Sequence, residues 1–346
     1  MESVGIEDAG RLARVVSGLV DPARLTLFST MKNEMGFLPA WLAHHRDIGF
    51  EQFLIWDDAS DDGSFDYLCA QPDVVVMRSD LGFGARLHYR DPAGAVREER
   101  VGTYFKIALP HLFLDGVFVG YVDADEFLIL PPGVASMAEV VARLAAEGAP
   151  SAVASVVEFF PASAEELAGE LPQSFAGLLA AYPYFQAERL VEVLPGQSRP
   201  RLHGLSKTAL LYQRYDVRPP LVRRGWHRLW LPASVRRAQE AQTSPRHKTP
   251  LLRRDAQSWQ VGSHNGNLPP SGTVLLTVAH FVFTAQFADK IARAIRQGSH
   301  AHGGRKYHGY AQLLRAMQGR PEGFLDADSR RYTGPQQLVD LGLMRW

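Results

Sequence analysis

Between residues 25 and 122, four short apolar runs alternate with stretches whose apolar residues recur at helical spacing. That alternation limits the folds open to the chain more than any other feature. Residues 25–31, 53–56, 74–77 and 116–122 read as strands. Phe37, Leu38, Trp41, Leu42, His45 and Ile48 share one helical face before Gly49, and a second helix is expected over residues 101–114. The pattern predicts βαβ units: an α/β fold with a mostly parallel sheet flanked by helices. In such a sheet ligands bind beyond the C-terminal strand ends. Three polar clusters fall at those ends: Lys32-Asn33-Glu34, Asp57-Asp58, and Asp123 with Asp125.

The fourth run ends most abruptly. Three carboxylates, Asp123, Asp125 and Glu126, follow an apolar strand and precede Phe127-Leu128-Ile129-Leu130. Acids at the tip of a core strand need a cation, a hydroxyl-rich ligand or water, because burying them unpaired is costly. If the strand continues, Asp123 and Asp125 point one way and Ala124 the other. Two such carboxylates can share a hard divalent ion, with a diphosphate supplying further oxygens. The plainer alternative is an acidic strand edge facing solvent.

The rest of the chain is less regular. Residues 6–20 carry Ile6, Leu12, Val15, Val16 and Leu19 at helical spacing, so a leading helix is expected. Residues 152–160 (with Glu158), 208–212, 260–263 and 274–283 are further predicted strands, and residues 286–297 and 310–317 predicted helices. Residues 195–250 are rich in Arg and Pro and read as loop. Within 346 residues, Lys plus Arg equal Asp plus Glu at 37 each, so overall charge points to no partner. Residues 199–254 nevertheless hold 14 Lys and Arg against two acids. This stretch is either a solvated surface or a site for an acidic or lipid-linked acceptor, with Arg223, Arg224, Trp226, Arg228 and Trp230 offering guanidinium and ring faces. Nucleic acid is not expected as a partner, since no recognised module accompanies the charge. The single Cys69 suits a reducing compartment. No run approaches ~18 apolar residues and the start lacks a signal-peptide pattern, so a cytoplasmic protein is expected, with peripheral contact at the inner membrane face left open.

Lys32-Asn33-Glu34, the segment Ile55-Trp56-Asp57-Asp58-Ala59-Ser60-Asp61-Asp62-Gly63-Ser64, and Val122-Asp123-Ala124-Asp125-Glu126-Phe127-Leu128 resemble the family 2-like glycosyltransferases, closest to the family 92 branch. His203-Gly204-Leu205-Ser206-Lys207, Gly262-Ser263-His264 and Ala279-His280-Phe281, followed by Phe287, Lys290 and Arg293, extend the resemblance to about residue 297. It implies a GT-A fold. A nucleotide-sugar-binding half would span residues 25–150 and an acceptor-binding half residues 151–300, between a helical lead (1–24) and a helical tail (301–346).

The implied activity is metal-dependent, inverting transfer of a sugar from a nucleotide sugar, a UDP-sugar first, to a glycan or lipid-linked acceptor. By the same resemblance Asp57 would meet the nucleobase, Asp123 the ribose or metal, and Asp125 a Mn²⁺ or Mg²⁺ ion. Lys32, Lys106 and Lys207 would lie on phosphate. His280, ending an apolar strand, is one candidate third metal ligand and His264 the other; for either, a hydrogen-bonded core histidine is the alternative. Glu158 is the candidate general base. Glu126 is a second, or else a group that orients the metal ligands. Two competing functions remain: a sugar-phosphate nucleotidyltransferase, against which stands the lack of a Gly-rich loop after the first strand, and a catalytically silent carbohydrate-binding protein.

Overall fold

The computed structural model describes residues 3–217, 244–297, 305–320 and 322–346. An eleven-stranded mixed sheet runs through them. Four parallel strands form one end: Thr26–Met31, Gln52–Asp57, Val74–Arg78 and Phe118–Tyr121. Their spatial order is third, second, first, fourth. The order reverses between Thr26–Met31 and Phe118–Tyr121, and such a switch point opens a crevice beyond the strand ends. Lys32 and Asp123 are what the sequence puts on either side of it.

Both faces of this part are covered, as alternation along each strand requires. Phe53 and Ile55 pack with Leu38, Trp41 and Leu42 of the helix Leu38–Asp47 and with Met137 and Val140 of Met137–Ala146. Leu54 and Trp56 pack on the opposite face, against Tyr104, Phe105 and Ala108 of the helix Val101–Phe113.

The second half of the chain continues the sheet. His247–Arg253 pairs antiparallel with both Phe118–Tyr121 and Ser151–Phe160. The sheet therefore crosses the expected boundary at residue 150 without a break. Leu275–His280 runs parallel to Ser151–Phe160 and antiparallel to Glu126–Ile129, so the acidic segment is held by the C-terminal half. A third apolar cluster joins Tyr212, Phe283, Phe287, Ile291, Tyr310 and Leu313, packing the helices Phe287–Gln297 and Arg305–Met317 beside it.

Several expectations are corrected. Residues 208–212 are helical, within Lys207–Arg214. The Ser206 hydroxyl accepts from the Ala209 amide at 3.3 Å, and Glu158 accepts from the Thr208 amide at 2.9 Å. These caps settle an apolar run too short for periodicity to decide. The leading helix covers only Ala9–Leu12; Arg14–Ser17, with β-branched Val15 and Val16, is an antiparallel edge strand on Val74–Arg78. His247–Arg253 is a strand where loop was expected. Pro250 concealed it, and the register against Ser151–Phe160 shifts between Lys248 and Leu251, around the residue that lacks an amide donor. The tail also contributes a strand, Ser329–Arg331. Residues 218–243, with Arg223, Arg224, Trp226, Arg228 and Trp230, lie outside the described residues. Among the described residues no helix is long and apolar enough to cross a membrane.

Phe127, fully buried directly after the acids, stacks on Phe175 at 5.3 Å and meets Phe281 edge-on at 5.5 Å. Phe127→Ala should cost about 3–5 kcal/mol of stability in urea unfolding, the usual range for emptying an aromatic core position.

Candidate active site

The backbone of the acidic segment is fastened before its side chains act. The Val122 carbonyl accepts from Ser29 Oγ at 2.7 Å and the Asp123 carbonyl from Trp41 Nε1 at 3.1 Å. The Asp125 carbonyl accepts from the Phe281 amide at 2.9 Å. The strand stops at Tyr121 and the chain turns, with the Glu126 amide donating to the Asp123 carbonyl at 3.1 Å. Because of that turn, the expected same-facing pair does not form, and Asp123 and Asp125 meet different partners.

Asp123 is surrounded by cations. Its Oδ1 accepts from Tyr121 at 2.8 Å and from Lys106 at 3.3 Å, and its Oδ2 from Lys248 at 2.9 Å. Lys248, fully buried, also donates to Glu126, whose Oε2 accepts from the Asp123 amide at 2.9 Å. Burial opposes the charge on Asp123, but the two ammonium groups outweigh it and hold its pKa well below the usual carboxylate range. Burial likewise works against the charge of Lys248, and Asp123 and Glu126 turn the balance, raising its pKa.

Asp125 faces the C-terminal half. Its Oδ2 accepts from Lys290 at 2.8 Å, and its Oδ1 lies 3.7 Å from His280 Nε2. Against the cost of burial, Lys290 and His280 hold the Asp125 pKa down. Burial would neutralise His280, yet Asp125 beside it raises its pKa. Lys290 also reaches Glu34 at 3.4 Å. Burial raises the pKa of Glu34 despite that cation.

These groups surround a cleft of about 350 Å³ at the switch point. Lys32, Asn33 and Glu34 line one wall, with Asp58 beside them; Lys106, Asp123, Asp125 and Glu126 line the floor, and His264 and His280 approach from the second half. Asn33 adopts a left-handed φ of 57°, which asparagine tolerates. Its side chain ties the two loops together, donating to Asp61 at 2.7 Å and accepting from the Asp61 amide at 2.9 Å. Lys32 pairs with Asp58 at 3.6 Å.

Three expected site residues do not line the cleft. Asp57 Oδ2 accepts from Arg78 Nε at 2.7 Å, while Oδ1 is buried without a partner. Glu158 spends both oxygens on Thr208, at 2.9 Å from its amide and 2.5 Å from its hydroxyl, so it caps a helix and leaves no lone base for an acceptor. Lys207 is buried against Asp326 at 2.6 Å and Gln186 at 3.1 Å, over the Phe160 ring. Conversely, sequence reasoning gave no role to Lys248 or Lys306. A lysine inside the otherwise buried strand His247–Arg253 was the available signal for the first.

Among the described residues no group of three or more His, Cys, Asp or Glu side chains is placed to hold a metal ion. Asp125 and His280 form a two-donor set: with ligand distances of about 2.1 Å, atoms 3.7 Å apart can bind one ion. Magnesium-like ions commonly take one or two protein ligands and complete their shell with phosphate oxygens and water. Asp123, also in the cleft lining, has both oxygens in contact with lysines, as Asp125 has one in contact with Lys290. His264 lines the same cleft, and burial, with Lys248 as its strongest charged neighbour, lowers its pKa to about 3 and keeps its imidazole neutral.

The Lys207–Asp326 pair gives a structural check. Burial opposes the charge on Asp326, but Lys207 and its other donors lower its pKa to about 2. A carboxylate held below its usual value stabilises the fold above the unfolded pKa near 4, and the effect fades as pH falls toward 2. Asp326→Asn should therefore lower the melting temperature at neutral pH, with the difference from wild type shrinking over that window.

Neither the protein-family models nor the curated proteins match this chain, so its chemistry has to be read from the cleft itself.

Proposed function

We propose that the chain is a glycosyltransferase of GT-A type, moving a sugar from a nucleotide sugar, a UDP-sugar first, to a glycan or lipid-linked acceptor. The observation that carries this reading is the juxtaposition of Asp125 and His280 at the switch point of a parallel sheet, in a cleft lined by lysines. The sequence resemblance supplies the reaction class, and the cleft supplies the groups that such a reaction needs.

Asp125 and His280 would hold Mn²⁺ or Mg²⁺, which when bound supplies Lewis-acid stabilisation of the leaving diphosphate. Lys106 and Lys32 bring positive charge to the same cleft for phosphate oxygens. Asp123 and Glu126 act through Lys248: the buried ion-pair network fixes the floor and keeps the Asp125 segment in place. Inverting transfer requires a carboxylate to take the acceptor hydroxyl's proton. With Glu158 committed to Thr208, Glu34 is the acid assigned to this role in the proposal, ahead of Asp58, which pairs with Lys32. It lines the cleft, and its raised pKa makes it a better proton acceptor than an ordinary carboxylate.

The test is a screen of nucleotide sugars for Mn²⁺-dependent hydrolysis and thermal stabilisation. One donor should stand out, and a flat profile across UDP-, GDP- and CMP-sugars would sink the proposal. In titration calorimetry, Asp125→Asn should weaken Mn²⁺-dependent binding of the matching nucleoside diphosphate by about tenfold or more while the protein stays folded. Glu34→Gln should depress turnover with little change in donor affinity, and Glu158→Gln should instead lower the melting temperature.

A further inference from the structure

Outside the cleft, on the face of the sheet that meets the helix Val101–Phe113, lies a cation that the transfer chemistry does not use. Arg254 follows the strand His247–Arg253 and is fully buried. Its amide donates to the Val117 carbonyl at 2.9 Å and its carbonyl accepts from the Gly116 amide at 2.5 Å. That register sets its side chain on the same face as Val117 and Val119, which pack with the helix. Of the guanidinium nitrogens only Nη2 has a partner, Gln260 Oε1 at 3.2 Å; Nε and Nη1 are buried without one. Among the described residues no carboxylate lies within 4.0 Å of the group. Asp255, next in the chain, is spent on Arg253 at 2.8 Å and on the amides of Gln257 and Ser258. Burial draws the Arg254 pKa down to about 9, and Tyr121 acts against it.

Its neighbours repeat the imbalance. Gln260 Nε2, Ser258 Oγ and His111 Nδ1 are also buried with no partner. The Gln260 amide nitrogen shares a carbon with the oxygen that Nη2 reaches, so it stands beside the guanidinium. Ser258 sits in the turn between Arg254 and Gln260. His111, in the last turn of the helix, feels the same charge: burial lowers its pKa, Asp115 opposes this, and Arg254 lowers it further. Arg254 Nε and Nη1 and Gln260 Nε2 can only donate, the serine hydroxyl can donate, and so can Nδ1 in one tautomer. The one atom of the group that can only accept, Gln260 Oε1, is already engaged. Water donates as readily as it accepts and brings no charge. An anion accepts from every member and neutralises the guanidinium as well.

We propose that Arg254, Gln260 and Ser258, with His111 beside them, hold a small monovalent anion of the chloride class inside the fold. The first three are enclosed, with at most 1% of their surface exposed, which suits a single ion and not a sugar acid or a diphosphate. None of the four lines the cleft, and the site stands whether or not the chain transfers sugar. It lies near Tyr121, whose hydroxyl donates to Asp123 at 2.8 Å, so the anion neutralises a charge close behind the cleft floor.

Thermal melting of the full chain tests this, with sodium gluconate replaced by sodium chloride or bromide at constant ionic strength. Wild type should melt about 2–4 °C higher in chloride well above its dissociation constant. Gln260→Glu sets a carboxylate against the guanidinium, so it should melt higher than wild type in gluconate and lose the chloride response. Arg254→Met should lose the response too; if it fails to fold, Gln260→Glu and the bromide measurement decide. In crystals grown in bromide, anomalous scattering should place the ion on Arg254. A wild type indifferent to chloride overturns the proposal. So does a response of equal size in Gln260→Glu, or bromide crystals with only water at the guanidinium.

Discussion

Lys248 is the interaction on which the site depends. Its ammonium lies fully inside the protein, between Asp123 at 2.9 Å and Glu126. Without it, two carboxylates would end a core strand with only Lys106 to offset them, and the cost of an uncompensated buried charge is of order 3–5 kcal/mol. The lysine belongs to His247–Arg253, the strand that joins the parallel strands to the rest of the sheet. One side chain thus couples the closure of the sheet to the neutralisation of its acidic tip. The two halves of the molecule cannot be separated at residue 150 without breaking this pair.

The consequence is a division between two aspartates that look equivalent in the sequence. Period-two alternation would aim them at the same target, but the strand ends at Tyr121 and the turn after it sends them apart. Asp123 is consumed by lysines and a tyrosine. Asp125, two residues on, faces Lys290 and His280 from the C-terminal half. Both still line the cleft, but each is held by its own set of cations. A turn of two residues is enough to split the pair.

What could be read in advance follows the same physics. The parallel strands, the helix Leu38–Asp47 and the polar tips Lys32-Asn33-Glu34 and Asp123–Glu126 were legible because each depends on spacing within a few residues of itself. Glu158, Lys207 and Asp57 were read as site residues by their place in motifs, yet their partners are Thr208, Asp326 and Arg78, at separations of 50, 119 and 21 residues. No local pattern records such pairings. Arg14–Ser17 and Lys207–Arg214 were misread for another reason: both are short enough that edge pairing or a cap overrides the apparent period. The hairpin Arg86–Arg90 with Val96–Arg100 escaped notice because charged residues are spread along both of its strands.

The cleft has walls of unlike origin, and this bears on how it can work. The floor and the Lys32 side grow from strand ends locked by register, hydrogen bonds and buried ion pairs, so their groups have little freedom. The opposite wall is a pair of helices packed through aromatic rings, with Phe287 meeting Tyr310 at 5.1 Å and Phe283 at the same distance. The helical wall touches the floor through Lys290, which spans Asp125 and Glu34. A ligand that takes over Asp125 must therefore take over the lysine as well, and an anionic ligand does so at least cost, because it offers Lys290 a new counter-charge as the old one is withdrawn. On the reading proposed above, a cation at Asp125 and an anion at Lys290 would be complementary, and a metal–diphosphate pair would answer both at once.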